Sequence, residues 1–220
     1  MAQAIPFEER FATMDVAQTQ FVSKVYTTLA MALVVATGTC YAVAEYGSWQ
    51  LALGMMIGAL ILGIISAFSR MKGLFGTILL WGYVICLGGA LGPTINHFLK
   101  TAAGTQTLTM AIGLTAGIFL ALTAFVRITG KDFSFMRGFL VIGTIGLCIA
   151  GVILMSYPGQ GQYWYSLIGV LLFSGWILYD TSAVTRQYYE DNNVNRAVME
   201  LFLDIVNLFL MILRLLNSRD

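Results

Sequence analysis

The chain has 220 residues, of which 58% are hydrophobic and 10% charged, and its mean hydropathy is +0.80. A soluble domain carries roughly a quarter charged residues, so this composition excludes one and points to an integral membrane protein. The formal net charge of +1 leaves no clustered basic face of the kind a nucleic-acid partner requires.

The first 24 residues, MAQAIPFEERFATMDVAQTQFVSK, are polar and partly acidic and are expected to form a short cytoplasmic tail, 1–24. The apolar run that follows is too long for the core of a signal peptide and lacks a cleavage site, so it is expected to remain as a helix. A helix crossing the hydrocarbon core needs about 20 apolar residues. Runs of that length fall at 25–45, 50–68, 74–97, 106–127, 138–157, 163–185 and 196–216. The predicted fold is an all-α integral membrane protein with seven transmembrane helices in one domain, 25–216, followed by a C-terminal tail, 217–220. The breaks GSWQ, SRMKG, LKTAAGTQ, RITGKDFSFMR, YPGQGQ and RQYYEDNNVNR all carry turn or polar signals.

Orientation follows from the basic residues. Arg10 and Lys24 precede the first run, Arg70 and Lys72 follow the second, Arg127, Lys131 and Arg137 flank the break after the fourth, and Arg186 and Arg196 flank the one after the sixth. Basic residues near span ends stay in the cytoplasm. This places the N-terminus inside and, for an odd number of spans, the C-terminus outside. Arg214 and Arg219 oppose that last step, so a re-entrant final segment stands as the alternative.

Within the spans, Gly82, Cys86, Gly89 and Gly92 recur at a spacing that lets helices approach closely. In GGALGPTINHF, Pro93 removes a backbone donor. It is expected to kink the third span and free a carbonyl toward a cavity or a neighbouring helix. His97 falls at the interface and is assigned no role. Cys40, Cys86 and Cys148 lie in apolar runs without a metal-ligand pattern or a disulfide framework, and are read as packing residues. No cofactor is required.

The last run, MELFLDIVNLFLMILRLLNSRD, carries Glu200, Asp204, Asn207 and Arg214. A charge near the bilayer centre costs about 2.5–3.5 kcal/mol on insertion scales, so such residues face protein or water. The helical spacing places Glu200, Asp204, Asn207, Met211 and Arg214 on one face, with apolar residues on the others. A second acid, Asp180 in SGWILYDTSAV, sits near the cytoplasmic end of the sixth run. At about 1.5 Å of rise per residue, Asp180 lies ~8 Å inward from Thr185 and Asp204 ~12 Å inward from Arg196. The two acids are therefore expected at comparable depth in antiparallel neighbours, where they meet.

Two carboxylates in contact in a low-dielectric site cannot both ionise cheaply, and should share one proton. Such a pair is a proton switch near physiological pH and, when deprotonated, a weak site for a hard cation. Oxygen ligation suits Ca2+, with Asn207, Thr181 and freed carbonyls as further ligands and Glu200 in support. The alternative is that each acid pairs with Arg70, Lys72 or Arg214 to lock helices together. Glu190 and Asp191 are expected to be solvated, and Asp132 or Ser134 to cap the fifth span. Glu45, at the outer rim, is assigned no role.

ILYDTS followed by LFLDIVNLFLMILRLL resembles the signature pair of helices of the Bax inhibitor-1 family of transmembrane Bax inhibitor motif proteins. The likeness continues more weakly through KVYTTLAMAL, LGPTIN and GKDFSF, covers nearly the whole chain, and fits the bacterial branch. It implies a seven-helix fold with the C-terminal helix central and wrapped by the other six. It also implies a pH-sensitive passive Ca2+ leak, with Ca2+ as the transported ion, set among the lipids of a plasma membrane that in bacteria is the inner membrane. The family's paired aspartates fall onto Asp180 and Asp204. A basic latch falls onto Arg70, with Lys72 as the alternative, and the conducting state is expected to gain population on mild acidification.

The KDFSF and SRD segments resemble a bacterial subgroup that modulates a membrane-anchored ATP-dependent protease. A non-transporting regulator of such a protease, or of stress or cell-death machinery, is therefore the competing reading. An intramembrane aspartyl protease would use Tyr179-Asp180 and an acid in the next helix. The flank Phe-Leu-Asp at Asp204, with no Pro-Ala-Leu following, opposes it, and the chain is not read as an enzyme. Lys24, Lys72, Lys100 and Lys131 all sit at span edges, which leaves no buried amine for a retinal-type Schiff base.

Overall fold

The apolar runs become helices in a computed structural model that describes residues 16–156, 161–186, 189 and 191–218. In chain order these are α1 Val16–Tyr46, α2 Trp49–Phe68, α3 Gly73–Ala90, α4 Gly92–Leu99, α5 Ala102–Thr129, α6 Arg137–Ser156, α7 Gly161–Val184 and α8 Val194–Asn217, with a 3-10 turn, Ser134–Met136, leading into α6. No strand occurs among the described residues. Six segments are long and apolar enough to cross a membrane: α1, α2, α3 together with α4, α5, the 3-10 turn with α6, and α7. The eighth helix differs from them by carrying Arg196, Glu200, Asp204 and Arg214. Arg10, Glu190, Arg219 and most of the YPGQGQ break lie outside the described residues.

α1 already includes Val16, ahead of the apolar run, because Gln, Thr and Ser do not stop a helix as Pro does. At ~1.5 Å per residue its length is about 46 Å, more than the ~30 Å hydrocarbon core, so its polar first turns extend beyond the apolar span. Three breaks are set by side-chain caps. Ser48 accepts from the N–H of Leu51 at 3.2 Å, Thr101 from Gly104 at 3.0 Å, and Asn193 from Arg196 at 3.2 Å, each satisfying a donor the helix start leaves open. α5 ends at Gly130, whose φ of 58° is left-handed and whose N–H reaches the Val126 carbonyl at 2.8 Å.

Pro93 breaks the third span at Leu91, as a proline inside a helical run must. The carbonyl that it deprives of a donor is that of Gly89. The N–H of Leu91 instead bonds the Gly88 carbonyl at 3.2 Å, which closes the break as a tight turn. The Asn96 amide donates to the Ala44 carbonyl and ties α4 to the end of α1.

α8 packs against α1, α3, α5 and α7, while α2 lies chiefly on α3 and α6 on α7. From Val194 to Leu213 none of its residues is exposed. Its side chains enter both apolar cores, Leu201 and Phe202 with Val25, Leu80 and Val84, and Leu208 and Ile212 with Leu140, Phe173 and Ile177. The exterior is apolar as well, with Leu60, Ile61, Phe75, Ile142 and Leu171 exposed. Lipid is as apolar as these side chains, so close packing of small residues brings the helices together. Gly82, Cys86 and Gly89 meet Leu62, Gly58 and Met55 of α2, whereas Gly92 meets Val43 of α1. The small-residue series read from the sequence therefore serves two partners.

Asn193 joins two of these parts. It caps α8, and its Nδ2 donates to the Arg70 carbonyl at 2.6 Å in the α2–α3 turn. Asn193→Ala is expected to cost about 1–2 kcal/mol by removing the cap and a buried hydrogen bond, read as a lower unfolding midpoint in detergent. An unchanged midpoint would show that the turn is held by other contacts.

Candidate functional site: a buried pair of carboxylates

α7 supplies Asp180 and α8 supplies Asp204, respectively 3% and 5% exposed, so neither carboxylate is solvated by bulk water. The two side chains lie within hydrogen-bonding range of one another. Oδ2 of Asp204 is buried and receives no hydrogen bond from protein. Among the described residues, the ionisable groups that act on Asp204 are Asp180 and Glu200, both acidic. Among the described residues, no basic side chain neutralises Asp204. Full ionisation of both partners would place two like charges in contact without solvent, which is costly.

The remaining residues of the polar stripe have separate surroundings. Glu200, half-buried one turn from Asp204, pairs with Arg196 at 3.4 Å. Asn207 is half-buried, and Arg214 is exposed with its guanidinium 5.4 Å from the centre of the Tyr165 ring.

The structure does not bring Arg70 to the pair. Its side chain is exposed, and its carbonyl is what contacts the α8 end of the bundle, through Asn193. The backbone explains this: Met71 and Gly73 adopt left-handed φ values of 48° and 62°, and the turn they make buries Met71 while Arg70 points outward. Lys72 is also exposed and lines a cleft of about 620 Å3 with Lys24, Trp81 and Asp191. Among the described residues no three His, Cys, Asp or Glu side chains converge as metal ligands. A divalent cation at the aspartates would complete its shell with hydroxyl, carbonyl and water oxygens.

One arrangement beside the pair was not legible as such in the sequence. Asp132 Oδ1 accepts from the N–H of Ser134 at 2.7 Å, which starts the 3-10 turn ahead of α6, and its other oxygen forms an ion pair with Arg186. Arg186 in turn donates through Nη2 to Ser182 Oγ at 3.1 Å and through Nε to the Ser182 carbonyl at 3.2 Å, while the N–H of Phe133 reaches Ser182 Oγ at 3.4 Å. The GKDFSF segment is thus fastened to the end of α7, next to Asp180. Asp132 is exposed and Arg186 half-buried, so the ion pair stabilises by less than about 1 kcal/mol and its effect is positional.

Arg186, and then the Ser134 N–H, hold the Asp132 carboxyl down at about 2. A depressed carboxyl contributes above its unfolded value, near 4, and loses that contribution as pH falls toward its folded value. Between pH 5 and 7 this contact is constant, so a response to mild acid originates elsewhere. Asp132→Asn is expected to speed tryptic cleavage at Lys131 several-fold without moving the pH midpoint of any transport; a shifted midpoint would make Asp132 part of the sensor.

An apolar exterior, with two acids enclosed between the last two helices, defines a polytopic helical membrane protein that holds a pair of aspartates in its own interior. The chain belongs to the Bax inhibitor-1 family: the family described as "Inhibitor of apoptosis-promoting Bax1" matches residues 18–220. Its relatives include an uncharacterized membrane protein of Vibrio cholerae, 36% identical over 168 residues, which make up 74% of this chain and 73% of the relative. "Modulator of FtsH protease YccA" of Escherichia coli K12 is 30% identical over 197 residues, 88% of this chain and 86% of that protein. "Inner membrane protein YccA" of Escherichia coli O6:H1 has the same identity and coverage.

Proposed function

We propose that this protein is a passive cation leak, with Ca2+ as the transported ion, gated by the protonation state of Asp180 and Asp204. The observation that carries this reading is the contact of the two acids in the interior with no basic partner on Asp204 among the described residues. In this reading α8 crosses the membrane as a seventh, central helix, in keeping with its enclosure from Val194 to Leu213. The N-terminus is cytoplasmic, and the name of the Escherichia coli O6:H1 relative favours a bacterial inner membrane.

Conduction needs a site attractive enough for the ion to enter and weak enough for it to leave. Two ionised carboxylates hold a divalent cation; one proton on the pair halves that charge and releases it. Mild acidification therefore favours flux. The test is Ca2+ release from liposomes as a function of pH, comparing the wild type with Asp204→Asn.

The second reading, a non-transporting modulator of a membrane-anchored protease, is favoured by the name of the Escherichia coli K12 relative and by its coverage of both chains. Co-purification of such a protease that survives loss of both aspartates would select it.

A further inference from the structure

Threonines within these helices usually return their hydroxyl to the carbonyl four residues earlier. Thr37, Thr77, Thr105, Thr107, Thr109, Thr115, Thr129 and Thr144 all do so. Thr123 on α5 and Thr181 on α7 do not: each Oγ1 is buried without a protein hydrogen-bond partner. The Tyr26 hydroxyl on α1 is buried and unpartnered in the same sense.

These three hydroxyls share one location. The Tyr26 phenol lies near the side chains of Thr181, Thr123 and Arg127, yet none of the three completes a direct hydrogen bond of acceptable geometry. Thr123 and Arg127 are one helical turn apart and share a face of α5. The Arg127 guanidinium stands over the Tyr26 ring, 5.9 Å from its centre, and the residue is exposed. Thr181 directly follows Asp180. Buried hydroxyls within reach of one another but not bonded are the setting in which bridging water is found, because leaving each unpaired is costly.

We propose that Tyr26, Thr123 and Thr181 enclose an internal water site between α1, α5 and α7, with its mouth at Arg127, which hydrates the aspartate pair from that end of the bundle. The ionisable groups around the route are Arg127 at its mouth and Asp180, Asp204 and Glu200 beyond Thr181. The guanidinium repels cations, so the mouth admits water while the ion takes another way. That the site serves the aspartates rests on the leak reading; the water site itself does not.

Radiolytic hydroxyl footprinting of the full chain in lipid nanodiscs tests the site directly, since label forms where water is held. Thr123→Val and Thr181→Val, singly and together, keep side-chain shape and remove a hydroxyl; Thr→Ser at the same positions keeps the hydroxyl. Tyr26 labelling is expected to fall several-fold in the Val variants and to stay at the wild-type level in the Ser variants, with Tyr189 labelling unchanged in all. Val variants that label Tyr26 like the wild type, or Ser variants that lose label as Val does, overturn the proposal. Thr123→Val, being remote from the aspartates in sequence, keeps the test valid if Thr181→Val fails to fold. Flux measured on the same variants separates the two ideas: loss of label without change in Ca2+ release removes the link to the pair, and a pH-dependent flux retained in Asp204→Asn removes the leak reading while leaving the footprint intact.

Discussion

Liposomes carrying the Asp204→Asn chain are expected to release Ca2+ at a rate independent of pH, whereas the wild-type rate rises on mild acidification. One shared proton can change the ratio of two states by at most about tenfold per pH unit, which sets the steepest slope the wild type should show. Asparagine has nearly the shape of aspartate, and its amide donates to the Asp180 carboxylate, so contact between α7 and α8 survives while the like-charge repulsion that makes the pair hold a proton does not. Asp204→Ala removes the contact as well and confounds gating with stability. Asp180→Asn should mirror Asp204→Asn, because a proton shared by a pair belongs to neither partner alone. Asp132, held at about 2 by Arg186, stays charged throughout the tested range and cannot substitute. A full wild-type slope in Asp204→Asn of unchanged helicity would remove the pair as sensor.

The helices were legible because apolar length is dictated by bilayer thickness, and the contact of Asp180 with Asp204 because rise per residue converts sequence position into depth. Side-chain direction in turns was not legible. Arg70 was expected to reach inward, yet the left-handed backbone at Met71 turns that residue in and Arg70 out; nothing in SRMKG announces a left-handed methionine. The fastening of GKDFSF to α7 was hidden for a related reason, since Asp132 reads as a cap and Arg186 as an orientation signal until folding sets them together. The enclosure of α8 from Val194 to Leu213 runs against composition. Its charges lower its apolarity, yet Asp204 is tolerated because it is enclosed on α1, α3, α5 and α7. Thr123 and Thr181 look like any helical threonine, and only the bonds they forgo distinguish them.

Two adjacent glycines on α3 are expected to respond in opposite ways to the same methyl group. A Cβ at Gly88 would stand 2.6 Å from the Ala36 carbonyl oxygen, 2.7 Å from the Ala36 Cα and 2.5 Å from Thr39 Oγ1. Two of these are backbone atoms of α1, so relief requires α1 and α3 to separate, and overpacking of that kind costs about 1–3 kcal/mol. A Cβ at Gly89 would meet Cε and Sδ of Met55, the far end of a flexible side chain on α2, and would lie 3.3 Å from Val43 Cγ2 of α1, a side-chain methyl that needs to give by only a few tenths of an ångström. That thioether can swing aside at little cost, while alanine gains about 1 kcal/mol over glycine in helix propensity. Propensity favours both substitutions equally, so the difference between them isolates the rigidity of the neighbour. Unfolding in detergent should place Gly88→Ala below the wild type and Gly89→Ala at or above it. The α1–α3 pair forms one wall around α8, so Gly88→Ala should also loosen the enclosure of Asp204, seen as faster amide exchange along α8. Equal midpoints for the two variants would mean that α1 and α3 are not in the close contact that seals this wall.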